Sequence, residues 1–328
     1  MASANANLHK AKDAKNDEFY TQLTDVAKEL MHYKTHFKDK IVLCNCDDPT
    51  WSAFWKYFHL NFAELGLKKL ISTHYDKTEP TYKMEYTGGD DNNIEVGIKT
   101  PLEGNGDFRN QECLDLLDEC DIVVTNPPFS LFREYVAVLM EHEKKFIILG
   151  NMNAITYKEF FPLIKDNKVW VGNGFNLSMV FKTPYPNLLE TNRKYVISKG
   201  YNPDEGYVKT PAIAWFTNLD VAKRHEKLIL WKKYTPEEYP KFDELPDVIN
   251  IDKVQNIPVD FDGLMAVPIT FLDKYNPEQF EIIDALNRYT ILDYFGVNED
   301  VQNRHSHCCN INGKSTYYRI VVRKKEGN

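Results

Sequence analysis

Apolar positions along the chain fall into two periods. Ile41-Val42-Leu43, Leu70-Ile71, Ile122-Val123-Val124 and Phe146-Ile147-Ile148-Leu149 are short continuous runs. Runs of that kind suit strands buried on both faces of a parallel sheet. Between them apolar residues return at helical spacing: Leu23, Val26, Leu30, Tyr33 and Phe37, then Trp51, Phe54, Trp55, Phe58, Phe62 and Leu65. Cys113, Leu114 and Leu117 mark a third helix, and Phe132, Tyr135, Val136 and Leu139 a fourth. Thr24 is a candidate N-cap for the first and Ser130 for the last. Phe160, Phe161 and Ile164 suggest a short helix, and further strands are read at 169–171, 178–181 and 212–217. Gly88-Gly89-Asp90-Asp91-Asn92-Asn93 reads as a turn between strands at 82–86 and 94–98. The alternation predicts an α/β domain built on a doubly wound, mostly parallel sheet through about residue 220.

Beyond residue 221 the alternation is lost. Residues 234–246, rich in Pro, Tyr and Glu, read as an extended linker, and 264–272 as an apolar segment. Asn276-Pro277-Glu278-Gln279 has the cap, first-position proline and third-position glutamine of a helix start. Asn312-Gly313 predicts a hairpin turn. In the strand after it, Tyr318, Ile320 and Val322 fall on one face, and Tyr317, Arg319, Val321 and Arg323 on the other. The expected division is a flexible arm (1–15), a catalytic domain (16–220) and a smaller mixed α+β region (221–328).

Composition narrows the class. The 328 residues are 43% hydrophobic and 13% aromatic, ample for a core. No apolar run approaches the ~20 residues of a membrane span. Residues 1–15 are rich in Ala, Asn and Lys without an apolar signal segment, so a cytoplasmic protein is expected. The six cysteines, Cys44, Cys46, Cys113, Cys120, Cys308 and Cys309, form no Cys-x-x-Cys pair and read as reduced thiols. His305-Ser306-His307-Cys308-Cys309 matches no common zinc spacing, so no metal is expected. The net charge of −8 argues mildly against a nucleic-acid partner, but phosphate binding depends on local patches. Two basic patches exist: Lys10, Lys12 and Lys15 at one end, and 301–328, with six Lys/Arg against one acidic residue.

The chemistry concentrates after residues 122–124, where Asn126-Pro127-Pro128-Phe129 ends the strand abruptly. The prolines fix their own backbone and give no ladder hydrogen bond. An amide, a rigid run of carbonyls and an aromatic ring therefore project from the carboxyl end of a central strand, the edge where open α/β sheets bind ligands. An amino group on an aromatic ring shares its lone pair with the ring and is a poor nucleophile. An Asn side-chain oxygen and a proline carbonyl each accept one of its N–H bonds, which favours a pyramidal nitrogen. The aromatic ring offers a flat face on which a planar substrate stacks.

The motif resembles that of S-adenosylmethionine (SAM) dependent amino-methyltransferases. With Asp17-Glu18-Phe19-Tyr20-Thr21, Gly106-Asp107-Phe108-Arg109 and Asn312-Gly313-Lys314, most of the chain resembles the EcoRI-type adenine-specific DNA methyltransferases. That resemblance implies a Rossmann-like SAM-binding fold in the γ order of blocks. It also implies methyl transfer to adenine N6 in duplex DNA, with Asn126, Pro127, Pro128 and Phe129 as the catalytic pocket. Tyr20 and Thr21 would meet the methionine end of the donor. Asp107 and the Phe108 backbone would read its adenine. Asn45, Cys46, Asp47 and Asp48 stand where relatives of this fold carry a glycine-rich loop. Asp47 and Asp48 have two readings, donor contacts or an Asp-Asp-Pro helix cap. At the end of the second strand, Asp76 is the candidate for the ribose hydroxyls and Tyr75 for stacking on adenine. Phe175, Tyr185 and Trp215 are unranked candidates for holding the extruded base. Target recognition is expected from Lys314, Arg319 and Arg323, with the Lys10, Lys12 and Lys15 arm. A restriction endonuclease would share the target site without binding, and a monomer would suffice. Two rival readings stand beside this one: glutamine-N5 methylation of a protein, and a non-catalytic DNA-binding protein on a methyltransferase fold.

Overall fold

The computed structural model describes residues 20–76, 79–183, 192–286 and 309–325. The chain forms two compact units. One comprises Met1–Ala154 and Val171–Leu219, the other Ile155–Trp170 and Asp220–Asn328.

In the first unit, α1 (Leu23–Leu30) starts after Gln22, so Thr24 lies inside the helix rather than at its cap. The reason is the preceding bridge: Tyr20 pairs antiparallel with Lys182, and the turn out of it leaves the Gln22 carbonyl to accept from Asp25 and Val26. There follow β1 (Ile41–Cys44), α2 (Ala53–Leu60), α3 (Phe62–Leu65), β2 (Lys69–His74), β3 (Tyr82–Tyr86) and β4 (Ile98–Pro101). The second strand of the 82–101 hairpin thus begins where sequence periodicity expects it to end. Trp55 and His59 on α2 bond the backbone carbonyls of Ile94 and Val96, which holds the intervening loop. Next come α4 (Gln111–Glu119), β5 (Ile122–Thr125), α5 (Phe132–Glu141) and β6 (Lys145–Asn151). Helix α5 is reached through a 3-10 turn, Phe129–Leu131, and has Leu131 at its N-cap, not Ser130. Its expected inward stripe, Phe132, Tyr135, Val136 and Leu139, is buried.

The chain then passes through α6 (Phe161–Lys165) and the two-residue β7 (Trp170–Val171), and continues with β8 (Leu177–Lys182), α7 (Arg193–Ser198) and β9 (Tyr207–Thr217). The sheet runs β4-β3-β2-β1-β5-β6-β9-β7, with β8 also paired to β9. Its centre, β2-β1-β5-β6, is parallel, and antiparallel strands extend both sides. Leu43, Val123, Val124 and Ile147 in that centre are fully buried. The chain goes from β1 outward to β2 and from β5 outward to β6, so strand order reverses between β1 and β5. Such a reversal opens the ligand crevice of a doubly wound sheet.

The second unit holds α6 and a four-stranded sheet, order β10-β11-β15-β12. Its strands are β10 (Val248–Asn250), β11 (Leu264–Pro268), β12 (Phe280–Leu286) and β15 (Arg319–Lys324), with a separate hairpin of β13 (Asn310–Ile311) and β14 (Lys314–Ser315). Three expectations change here. Asn276 opens a turn into β12, not a helix: its side chain accepts from Glu278 N and its carbonyl from Gln279 N and Phe280 N. Residues 234–246 are no linker, because Tyr239, Phe242 and Leu245 are buried, the last two in a core with Val248 and Leu286. Strand β15 is central, so Ile320, Val321 and Val322 are all buried and the alternation of faces fails.

Candidate active site

The loop after β1 and the turn after β5 meet over the switch point, joined by Asp47. Its carboxylate, almost fully buried, accepts from the Thr125 hydroxyl, from Asn126 N (3.3 Å) and from Ser52 Oγ (3.1 Å). Cys46 N donates to Thr125 Oγ1 (3.3 Å), a second bond between the same two segments. Burial outweighs these hydrogen bonds and raises the Asp47 carboxyl to about 6. So Asp47 grips the strand end that presents Asn126 rather than pointing into the crevice. Asn126, Pro128 and Phe129 are half-buried and Pro127 is buried, which leaves the motif lining a partly open edge.

Asp48 faces another way. It accepts from Thr50 N (2.8 Å), Thr50 Oγ1 (2.7 Å) and Tyr82 OH (2.9 Å), and His74 Nδ1 lies 2.7 Å from its other oxygen. The cap of α2 is Ser52, which accepts from Phe54 N and Trp55 N. Neither aspartate therefore caps the helix through its side chain.

Asn45 is buried, and its oxygen accepts from the Tyr135 hydroxyl. The Tyr135 ring meets Phe108 edge-on at 4.9 Å, so Asn45, Tyr135 and Phe108 form one packed line from β1 to the loop before α4. Asp76 is tied to the same loop through its N–H, which donates to Asn105 O (3.2 Å). Gly106 explains the closeness: φ is +73°, and a Cβ there would stand 2.3 Å from His74 O. Only glycine lets this loop lie against the end of β2. Asp107 receives Arg109 in a fork, Nε to Oδ1 at 2.9 Å and Nη2 to Oδ2 at 2.7 Å. That pair holds its carboxyl below the usual range. Arg109 also reaches Glu134 (2.8 Å).

Tyr20 lies by the other wall, its ring 3.9 Å from that of Trp51, next to the Ser52 cap. Thr21 is buried, and its hydroxyl has no hydrogen-bond partner among the described residues. Tyr75 is exposed, and Asp76 Oδ1 accepts from Glu79 N (2.9 Å). Phe175 and Trp215 are buried. The structure thus joins Asp47 to Asn126 and, through Tyr135, Asn45 to Phe108, while Tyr75 and Asp76 meet the same loop at Gly106 and Asn105.

The expected recognition residues lie in the second unit. Lys314 is exposed on the 310–315 hairpin, whose turn has positive φ at Asn312 and Gly313. Asp243 accepts from both turn N–H groups. Arg319 is largely buried and donates to Asn250 (3.1 Å), so it does not stand on a solvated face. Arg323 is half exposed and paired with Glu281 (2.8 Å). Lys10, Lys12, Lys15 and Tyr185 lie outside the described residues. Sequence reasoning missed Thr125, Ser52 and Arg109. A hydroxyl closing an apolar strand, a serine before a helix and an arginine two residues after an aspartate were the available signals.

An open sheet whose switch point carries Asn-Pro-Pro-aromatic on a central strand defines an amino-methyltransferase. Residues 7–325 match the family described as adenine-specific methyltransferase EcoRI, and the chain belongs to that family of DNA methyltransferases. It is 43% identical to the Type II methyltransferase M.EcoRI of Escherichia coli, over 98% of each chain. It is 40% identical to M.MpnI of Mycoplasma pneumoniae, over 97% of this chain and 98% of that one. It is 38% identical to M.MgeORF184P of Mycoplasma genitalium, over 98% and 99%. No solved structure matches the chain. Among the described residues no helix is long and apolar enough to cross a membrane.

Proposed function

We propose that this enzyme extrudes one adenine from duplex DNA and methylates its N6 at Asn126-Pro127-Pro128-Phe129, with SAM as donor, as the modification partner of a restriction endonuclease. The observation that carries the reading is the placement of that turn at the switch point, with Asp47 holding the N–H of Asn126. The residues suit a polar donor: a buried Thr21 hydroxyl without a partner among the described residues, and a Gly106 bend that lays the loop bearing Asp107 and Phe108 against His74 and Tyr75. SAM would supply an electrophilic methyl on a sulfonium. Thr21 and Tyr20 would hold its amino-acid end, Asp76 its ribose, and Asp107 its adenine through the Oδ2 lone pair that Arg109 leaves open.

The chain's own residues do the rest. Asn126 Oδ1 and the Pro127 carbonyl accept the two N–H bonds of the target amino group and turn its lone pair toward the methyl. Phe129 stacks on the extruded base. The transferring step needs no covalent enzyme intermediate, and proximity supplies much of the rate. Losing one such positioned polar contact costs ~10²–10³-fold in turnover. Asn126→Ala is therefore expected to slow transfer on that scale while SAM affinity, by titration calorimetry, changes little. Equal loss of both would remove Asn126 from the reacting centre.

A further inference from the structure

Residues 227–233 read Lys-Leu-Ile-Leu-Trp-Lys-Lys and follow the 3-10 turn Ala222–His225 in the second unit. Exposure alternates along them. Lys227, Ile229, Trp231 and Lys233 are exposed, while Leu228, Leu230 and Lys232 are half-buried. A period of two is that of an extended segment with alternate side chains on one face, and Lys232 bridges Pro258. The inward side holds the segment in place. The Gln279 amide accepts from Leu228 N and donates to Leu228 O, both at 2.8 Å, and Val259 N donates to Lys232 O at 2.8 Å. The face is thus fixed, yet Ile229 is 84% and Trp231 66% exposed, unusual for side chains of that size in an anchored segment. The seven residues hold three lysines and no acid in a chain of net charge −8. Lys233 makes no ion pair among the described residues, whereas Lys232 lies 3.5 Å from Glu238.

We propose that this face is a docking surface for the sugar–phosphate backbone of duplex DNA. The inference rests on the reading of DNA as substrate and deepens it by naming where the duplex is held. Lys227 and Lys233 stand six extended residues apart, about 20 Å, the reach of a few neighbouring phosphates along one strand. They meet phosphates, while Ile229 and Trp231 between them pack on deoxyribose. Positive charge outside and apolar side chains inside match a strand of DNA, whose charged groups flank an apolar sugar edge.

The test is fluorescence anisotropy of a labelled duplex across a salt series, run beside methyl transfer. Wild type is compared with Trp231→Ala and with the double variant Lys227→Ala/Lys233→Ala. The double variant is expected to bind at least tenfold more weakly, with a log–log salt slope shallower by roughly 1.8 for two lost phosphate contacts. Trp231→Ala is expected to weaken binding with the slope unchanged. Both should keep the wild-type unfolding midpoint and SAM affinity. If wild type binds and methylates DNA but both variants match it, the surface is overturned and the enzymatic reading stands. If Trp231→Ala changes the sedimenting mass and leaves DNA binding intact, the face belongs to a protein partner and the proposal fails. If wild type neither binds nor methylates duplex DNA, both readings fall.

Discussion

Asp47 ties the loop after β1 to the strand end that presents Asn126. Its position after β1 leaves two readings, donor contact or a helix cap; Ser52 supplies the cap, and the Asp47 oxygens accept from Thr125, Asn126 and Ser52. The β1–β5 neighbourhood creates that geometry, and it is a long-range pairing no local spacing encodes. A carboxyl raised from 3.8 to about 6 binds its proton in the folded state between those values while the unfolded chain does not. The group therefore costs stability above pH ~6, and the cost fades as pH falls toward 4. A shift of about two units corresponds to about 3 kcal/mol. Asp47→Asn should gain stability relative to wild type as pH rises from 4 to 7, by up to that amount, in urea unfolding at fixed pH steps. A difference that stays constant across the range would show that Asp47 is not held by burial in this way.

Elements were most legible where both sheet faces are covered. The β1, β2, β5 and β6 runs declare themselves because a parallel strand buried on both sides leaves few polar positions, such as Ser72 and Thr125 toward the strands' carboxyl ends. Helix ends were less so. The Thr24 and Ser130 caps were displaced by a tertiary bridge and a 3-10 turn, and the Asn276 signal by the ladder that pairs β12 with β15. The loop that bears Asp107 depends on Gly106 at positive φ against His74 O. Gly106→Ala should push that loop off β2, at about 1–3 kcal/mol of stability for the strained backbone. SAM affinity should fall more than the melting transition does, and calorimetry beside thermal unfolding measures both. A melting loss with unchanged SAM affinity would separate this loop from the donor.

At the scale of the molecule, the second unit was the harder part to read. Composition made 234–246 resemble a linker, although Tyr239, Phe242 and Leu245 are core, and strand alternation made Arg319 resemble a surface contact, although Asn250 receives it inside. The candidate site was more legible, because its motif residues lie on two strand ends that meet at the switch point. A protein of net charge −8 that binds DNA must do so through local lysines, so affinity for duplex should fall linearly in log–log against salt. A salt-independent affinity would mean that phosphates are not the contact. The most direct measurement is mass-spectrometric nucleoside analysis of duplex DNA incubated with the enzyme and methyl-labelled SAM. The account predicts label in N6-methyladenine alone, absent with Asn126→Ala. Label in cytosine or in protein, or label undiminished by that substitution, would contradict it.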